Sequence, residues 1–257
     1  MRRRRAGEWI LDLLYPRRCP VCHGLAPAGK TICPSCMGRL PFVRGSRCRK
    51  CGKPVLKNRV FCDDCLKYPH AFDQGTAILV YDDCVRETIA YYKYKGRREY
   101  GPVLGRLLAL HLTPCIKEWK IDAVIPVPLH PSRERARGYN QAAVVAAETA
   151  KRYGIPLVTD ALIRTGRTTA MKTLSAGERR EHLKSAFAAG SGLITKNGTA
   201  WFRTREGWKP LLAALLIDDI YTTGSTADAC AAVLKEAGVR HVFTASVAIG
   251  AGAAGEE

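Results

Sequence analysis

The sequence predicts an α/β fold, a mostly parallel sheet flanked by helices and preceded by a small cysteine-rich module. Three observations carry this. Four Cys-x-x-Cys pairs fall within the first 65 residues at nearly even spacing. Beyond them, short apolar runs alternate with stretches whose apolar residues recur at helical spacing. One of those runs, Leu215 to Ile217, leads into Asp218-Asp219 and then a small hydroxyl-rich loop that opens a helix. With 257 residues, 47% of them hydrophobic, the chain has room for one medium α/β domain and an accessory module. The natural division is 1–70 for the cysteine module and 71–257 for the sheet domain.

In order along the chain, Thr76–Tyr81 reads as a strand, and Val85, Ile89 and Tyr92 mark a helix running to Lys93-Tyr94-Lys95-Gly96. A helix from Val103 to Leu112 follows, then a short buried strand over Asp122–Pro128 and an Ala-rich helix from Gln141 to Tyr153. Leu157–Ile163 is expected to be another strand, followed by a basic polar segment to Phe187. Leu211–Ile220, Thr226–Ala237 and His241–Ile249 complete the pattern as strand, helix and strand. Strands alternating with helices imply a parallel sheet whose ligands gather at the carboxyl ends of its strands. Asn197-Gly198, inside a segment 188–210 with no assigned role, predicts a hairpin turn.

The net charge of +18 is unevenly placed: residues 1–70 hold 16 Lys/Arg against 4 Asp/Glu. A module that basic favours a polyanion, nucleic acid before a membrane surface. No run approaches the ~20 apolar residues of a membrane span. The N-terminal Arg2–Arg5 and the apolar stretch Trp9–Leu14 look superficially like an export signal, but Asp12 interrupts the stretch and no small-residue cleavage site follows. An amphipathic helix packed on the body, and a cytoplasmic chain without stable membrane insertion, are the expectation.

The cysteine pairs are Cys19/Cys22, Cys33/Cys36, Cys48/Cys51 and Cys62/Cys65, separated by ten, eleven and ten residues. A Cys-x-x-Cys turn supplies half of a tetrahedral thiolate shell, so four turns make two structural zinc sites. Disulfides would need an oxidising compartment, to which nothing here directs the chain. Consecutive pairing is the simplest arrangement, and an interleaved cross-brace uses the same residues. Closed four-cysteine sites leave no open position for chemistry, so this zinc holds a fold together. Cys84, Cys115 and Cys230 lie in apolar helical contexts and are expected to be buried thiols.

Asp218-Asp219 and the loop Thr222-Thr223-Gly224-Ser225-Thr226 suit a sugar phosphate. A helix N-terminus aims backbone N–H groups and the positive end of its dipole at an anion. The hydroxyls add donors, Gly224 allows close approach, and the carboxylates can accept hydrogen bonds from ribose hydroxyls. No G-x-x-x-x-G-K-[ST] or G-x-G-x-x-G occurs in the chain. The string resembles the 5-phosphoribosyl-1-pyrophosphate (PRPP) motif of type I phosphoribosyltransferases, which implies that fold for the sheet domain. In that resemblance the loop holds the 5-phosphate and the acids hold the ribose hydroxyls. A second segment, Leu129–Gln141, leaves the end of the strand at Pro128 and should reach the same rim. Its Arg133, Arg135 and Arg137 suit a pyrophosphate, because guanidinium forks match phosphate oxygens.

Taken in order, the double Cys-x-x-Cys module, Lys93-Tyr94-Lys95-Gly96, Pro126-Val127-Pro128-Leu129-His130, Arg137-Gly138-Tyr139-Asn140-Gln141 and Asp218–Thr226 resemble the ComF/GntX family. These are competence-associated, phosphoribosyltransferase-like proteins with an N-terminal double zinc ribbon. The resemblance implies PRPP binding with Mg²⁺, a role in DNA uptake or handling during natural transformation, single-stranded DNA at the basic module, and a partner such as a competence helicase. It also implies a loop motif matched here by Arg164, Thr168, Leu174, Arg179 and Ala186-Phe187. Met171 and His182 depart from its usual Gln and Asn; Lys172 and Arg180 can substitute for them electrostatically, and Lys172 is expected among the pyrophosphate contacts. A phosphoribosyltransferase transferring the pentosyl group from PRPP, a non-enzymatic PRPP-responsive DNA- or protein-binding adaptor and a nucleobase salvage transferase are the three readings, with no base-recognition segment identified for the last.

Overall fold

The computed structural model describes residues 17–166 and 185–251. The expected N-terminal helix near Trp9–Leu14, and Thr168, Met171, Lys172, Leu174, Arg179, Arg180 and His182 of the loop motif, lie outside them. A four-stranded parallel sheet forms the centre, in the order β1 (Gln74–Tyr81), β9 (His241–Gly250), β8 (Ala213–Tyr221), β2 (Ala123–Pro126). Its strands are apolar on both faces, as a sheet covered on both sides requires. Leu215, Leu216 and Ile217 of β8 are all fully buried. Leu216 faces one core, while Leu215 and Ile217 face the other.

One face is covered by α3 (Asp83–Tyr94), α4 (Tyr100–His111) and α7 (Gln141–Tyr153). The Asp82 carboxylate starts α3 by accepting from Val85 N–H at 2.8 Å, and Asn140 caps α7 by accepting from Ala142 N–H at 3.0 Å. The other face carries α8 (Ser225–Glu236) and the antiparallel strands β3 (Leu162–Arg164), β4 (Phe187–Ala189), β5 (Leu193–Lys196), β6 (Thr199–Thr204) and β7 (Gly207–Pro210). Asn197 and Gly198 both take positive φ between β5 and β6, the primed turn that the Asn-Gly pair predicted. Segment 188–210 is therefore mostly a three-stranded meander, packed on α8 through Leu193, Ala200 and Phe202.

Three expectations need revision. Leu157–Ile163 is not a fifth strand: only Leu157 bridges Val124, after which the chain turns at Thr159-Asp160 and pairs antiparallel with Phe187–Ala189. The Asp160 carbonyl accepts from Gly192 N–H at 2.9 Å, so bonds to the later 187–192 segment replace continuation of the parallel ladder. The segment after Leu129, read without secondary structure of its own, folds as a short helix, α6 (Pro131–Arg137). Pro131 suits its first turn, the His130 ring accepts from Ser132 N–H, and Gly138 closes it at φ +80°. A further helix, α5 (Thr113–Trp119), went unread. Of the three other thiols, Cys230 is buried as expected, whereas Cys84 and Cys115 are only partly so.

The two cysteine units are alike. Each has a knuckle closed by a short antiparallel bridge, Arg18 to Leu25 and Arg47 to Pro54, then a brief helix, α1 (Pro34–Arg39) and α2 (Asp63–Lys67). They straddle an edge of the sheet. The first packs through Val21, Ile32 and Leu40 on the face of α3 and α4, and the second through Cys48, Cys51 and Cys62 on the face of α8. Between them Phe42 bridges Leu79 antiparallel, and Val43 N–H donates to the Ile78 carbonyl at 2.9 Å. The connecting chain thus covers the exposed edge of β1.

Candidate ribose-phosphate cleft and zinc ribbons

The thiols pair consecutively. Cys19, Cys22, Cys33 and Cys36 form one cluster and Cys48, Cys51, Cys62 and Cys65 the other, with all Sγ atoms of a cluster within 4.8 Å of one another. Tetrahedral zinc with ~2.3 Å Zn–S bonds sets sulfurs roughly 3.8 Å apart. Cys22 and Cys33 lie 3.9 Å apart and Cys51 and Cys62 3.6 Å apart, and every one of these cysteines is free of disulfides. Both clusters fit one zinc ion through four thiolates.

At the carboxyl end of β8, the chain passes Asp218, Asp219 and Tyr221 into Thr222-Thr223-Gly224 and then α8. Gly224 has φ +79°, and a Cβ there would lie 2.2 Å from the Tyr221 hydroxyl, so a side chain is excluded on two grounds. No side chain caps α8, and its first-turn N–H groups face the loop. Thr223 and Ser225 hydroxyls sit 2.9 Å apart, already clustered. The loop lines a cleft of about 640 Å³ together with Asp218, Ser246 and residues of α2. Thr222 to Thr226 and Asp218 are therefore brought together as the sequence expects.

Asp219 points to the adjoining side, where its carboxylate meets Lys93 Nζ at 2.8 Å. Lys93 comes from the end of α3 and lines a groove of about 480 Å³ with Arg133 and Arg137 of α6. The Arg137 guanidinium also rests over the Tyr94 ring at 5.1 Å and donates to Gln141. Arg135 is exposed and lines neither the groove nor the cleft, and Lys172 lies outside the described residues. Lys93 was legible only as part of a motif. Its contact with Asp219 joins residues far apart in sequence, which no local pattern reveals.

Asp218 lies near the carboxyl end of β8, on the cleft. Burial, and then the neighbouring Asp219 carboxylate, push its carboxyl up to about 7, against the pull of Lys93, of the Asp219 N–H bond at 2.8 Å and of Arg164. Arg164 reaches this site from β3, with its guanidinium 5.2 Å from the Phe187 ring centre. Protonation favours the folded chain, so Asp218 lends stability at low pH that is lost as pH rises from the unfolded value of about 4 through the folded value of about 7. Asp218→Asn is expected to raise the melting temperature at pH 8 and leave it nearly unchanged at pH 4. Equal shifts at both pH values would remove burial as the cause.

Residues 10–66 match the family model of the double zinc ribbon domain. Competence protein F of Haemophilus influenzae is 28% identical over 229 residues, covering 88% of this chain and 93% of its own. The chain resembles ComF-type proteins over nearly its whole length. Competence protein ComFC of Bacillus subtilis is 28% identical over 80% of this chain and 79% of its own, and DNA utilization protein YhgH of Escherichia coli O157:H7 is 26% identical over 87% and 86%. The ComF-type resemblance agrees with the fold, a four-stranded parallel sheet behind two four-cysteine clusters. No helix among the described residues is long and apolar enough to cross a membrane.

Proposed function

We propose that this is a PRPP-binding protein of the ComF type that acts in DNA uptake or handling, divided as 1–70 and 71–257. The observation that carries the reading is the meeting of three groups at one sheet end. They are the Thr222–Thr226 loop, the Asp218-Asp219 pair, and the cationic groove of Lys93, Arg133 and Arg137. The loop amides and hydroxyls hold the 5-phosphate, the carboxylates accept from the ribose hydroxyls, and the groove takes the pyrophosphate. Mg²⁺ bound with PRPP neutralises part of the pyrophosphate charge. Lys172 is proposed, from the sequence alone, to join these anion contacts, whereas Arg135, which lines neither groove nor cleft, is not.

If the site turns over, an acceptor's lone pair forms a bond to C1 as the C1–O bond breaks. The electron pair leaves on pyrophosphate, and the acceptor gives up a proton to solvent. Asp218 and Asp219 balance the positive charge that develops on the sugar, and Arg133 and Arg137 hold the leaving group. A non-enzymatic adaptor is the second reading, favoured by the ribbon residues on the cleft wall. Calorimetric titration of the full chain with PRPP and Mg²⁺ is expected to show saturable binding; no heat and no saturation would end the reading. Exchange of labelled pyrophosphate into PRPP, with candidate acceptors, separates enzyme from adaptor.

The basic ribbons are the proposed contact for single-stranded DNA and, through it, for a helicase partner. Names carried by the relatives, competence protein and DNA utilization protein, point the same way. Affinity of the full chain for single-stranded DNA is expected to fall linearly with the logarithm of salt concentration. A flat dependence would reduce the basic surface to a solvated one.

A further inference from the structure

The cleft has a wall that the sheet domain does not provide. Asp64, Lys67 and Tyr68, at the end of the second ribbon, line it together with Thr222–Ala227. Among the described residues lining the cleft, Lys67 is the one cation. The Thr222–Thr226 loop offers amides and hydroxyls but no positive side chain. Lys93, Arg133 and Arg137 line the separate groove. Asp64 would repel an anion, but Lys53 Nζ holds its carboxylate at 2.6 Å. Lys67 has no ion-pair partner among the described residues and is exposed.

The position of Lys67 depends on the cysteine cluster. The α2 helix has five residues, none buried. It has no apolar anchor, and a helix this short has no stability of its own. What fixes it are Cys62 at its start, Cys65 within it, and the ion pairs Lys53–Asp64 and Arg59–Asp63 at 2.6 and 2.8 Å. Tyr221 ties the cluster to the loop from below. Its ring packs edge-on to Phe72, its hydroxyl lies beside the Cys51 thiol, and Gly224 passes directly over that hydroxyl. The first cluster sits on the opposite face of the sheet and touches none of this.

We propose that the second ribbon completes the anion site: Lys67 contacts the phosphate of the ligand held by Thr222–Thr226, and metal at Cys48, Cys51, Cys62 and Cys65 holds it there. This inference rests on the ribose-phosphate reading of the cleft. It makes ligand affinity depend on one zinc site and not on the other, so metal loading at the second ribbon sets the affinity of the cleft. It also gives a ligand in the cleft a direct contact with the basic module.

The test is calorimetric titration of the full chain with PRPP and Mg²⁺, with zinc content and melting temperature measured on each variant. Lys67→Ala is expected to weaken binding about tenfold or more, the size of one lost charge-assisted hydrogen bond. Lys67→Glu is expected to weaken it further, and both should keep wild-type zinc content and melting temperature. Lys151→Ala, an equal charge change at an exposed position of α7, should leave affinity unaltered. Cys65→Ser is expected to lose one zinc and most of the affinity together. Wild-type affinity in both Lys67 variants, or in Cys65→Ser at reduced zinc, overturns the inference while leaving the cleft reading intact. A wild-type chain that does not bind PRPP overturns both.

Discussion

Replacing Asp218 and Asp219 together by asparagine is expected to weaken PRPP binding at least a hundredfold while the chain still folds. Each carboxylate accepts from a ribose hydroxyl in the proposed complex. A hydrogen bond to a charged group is worth about 1.5–3 kcal/mol, so losing two is worth roughly 3–6 kcal/mol and a factor of about 10² to 10⁴. The stability terms oppose one another. Asn at 218 removes a carboxyl that burial holds in an unfavourable state above neutral pH. Asn at 219 takes the charge from the partner of Lys93, yet its amide oxygen can still accept at that 2.8 Å distance. The loop itself is untouched, since Gly224 and Tyr221 keep their packing. Loss of binding with a wild-type circular dichroism spectrum assigns the effect to the ligand contact. Unchanged affinity would refute the ribose assignment and leave the acids as mere neighbours of Lys93 and Arg164.

How much of this was readable in advance depended on how local each feature was. The Cys-x-x-Cys knuckles, the Asn197-Gly198 turn and the Thr222–Ser225 loop are set by residues close in sequence, and all were legible. The central strands were legible because burial on both faces leaves long apolar runs such as Ala214–Ile217. Leu157–Ile163 misled because its apolar residues serve two partners, Val124 by a single bridge and Phe187–Ala189 antiparallel. The helix over Pro131–Arg137 was hidden by charge: none of its residues is buried, so it leaves no apolar periodicity. What no pattern could supply was the meeting of distant parts. Lys93 on Asp219, and Lys67 and Thr222 lining one cleft, are products of the fold, and both bear on the proposed ligand. The cysteine pairing, open between consecutive and interleaved, was likewise closed only by three-dimensional proximity.

Metal analysis of the purified chain is expected to give two zinc ions, and the two sites should differ sharply in what they hold up. Cys48, Cys51 and Cys62 lie in the same core as Phe72, Ala77, Leu216 and Tyr221. Removing metal there uncovers that face and frees Tyr221 from below the loop. In the first cluster Cys19 and Cys36 lie in the other core beside Val21, Ile32 and Leu40, but Cys22 is exposed, so two of its cysteines are buried against three in the second. Zinc sites of this type are worth ~10–16 kcal/mol to isolated ribbon peptides, far more than either unit gains from its few apolar residues. Within the folded chain, much of that cost is met by local unfolding of the ribbon, so the global effect is smaller. Cys48→Ser with Cys51→Ser is expected to cost several kcal/mol, which at this chain length lowers the melting temperature by about 10 °C or more. Cys19→Ser with Cys22→Ser should lower it by less, and either pair should leave one zinc. Finding no zinc with oxidised cysteines would overturn the metal assignment. Equal losses from both pairs would mean that the second ribbon is no more built into the core than the first, and the shared packing around Phe72 and Tyr221 would then carry little of the stability that its burial implies.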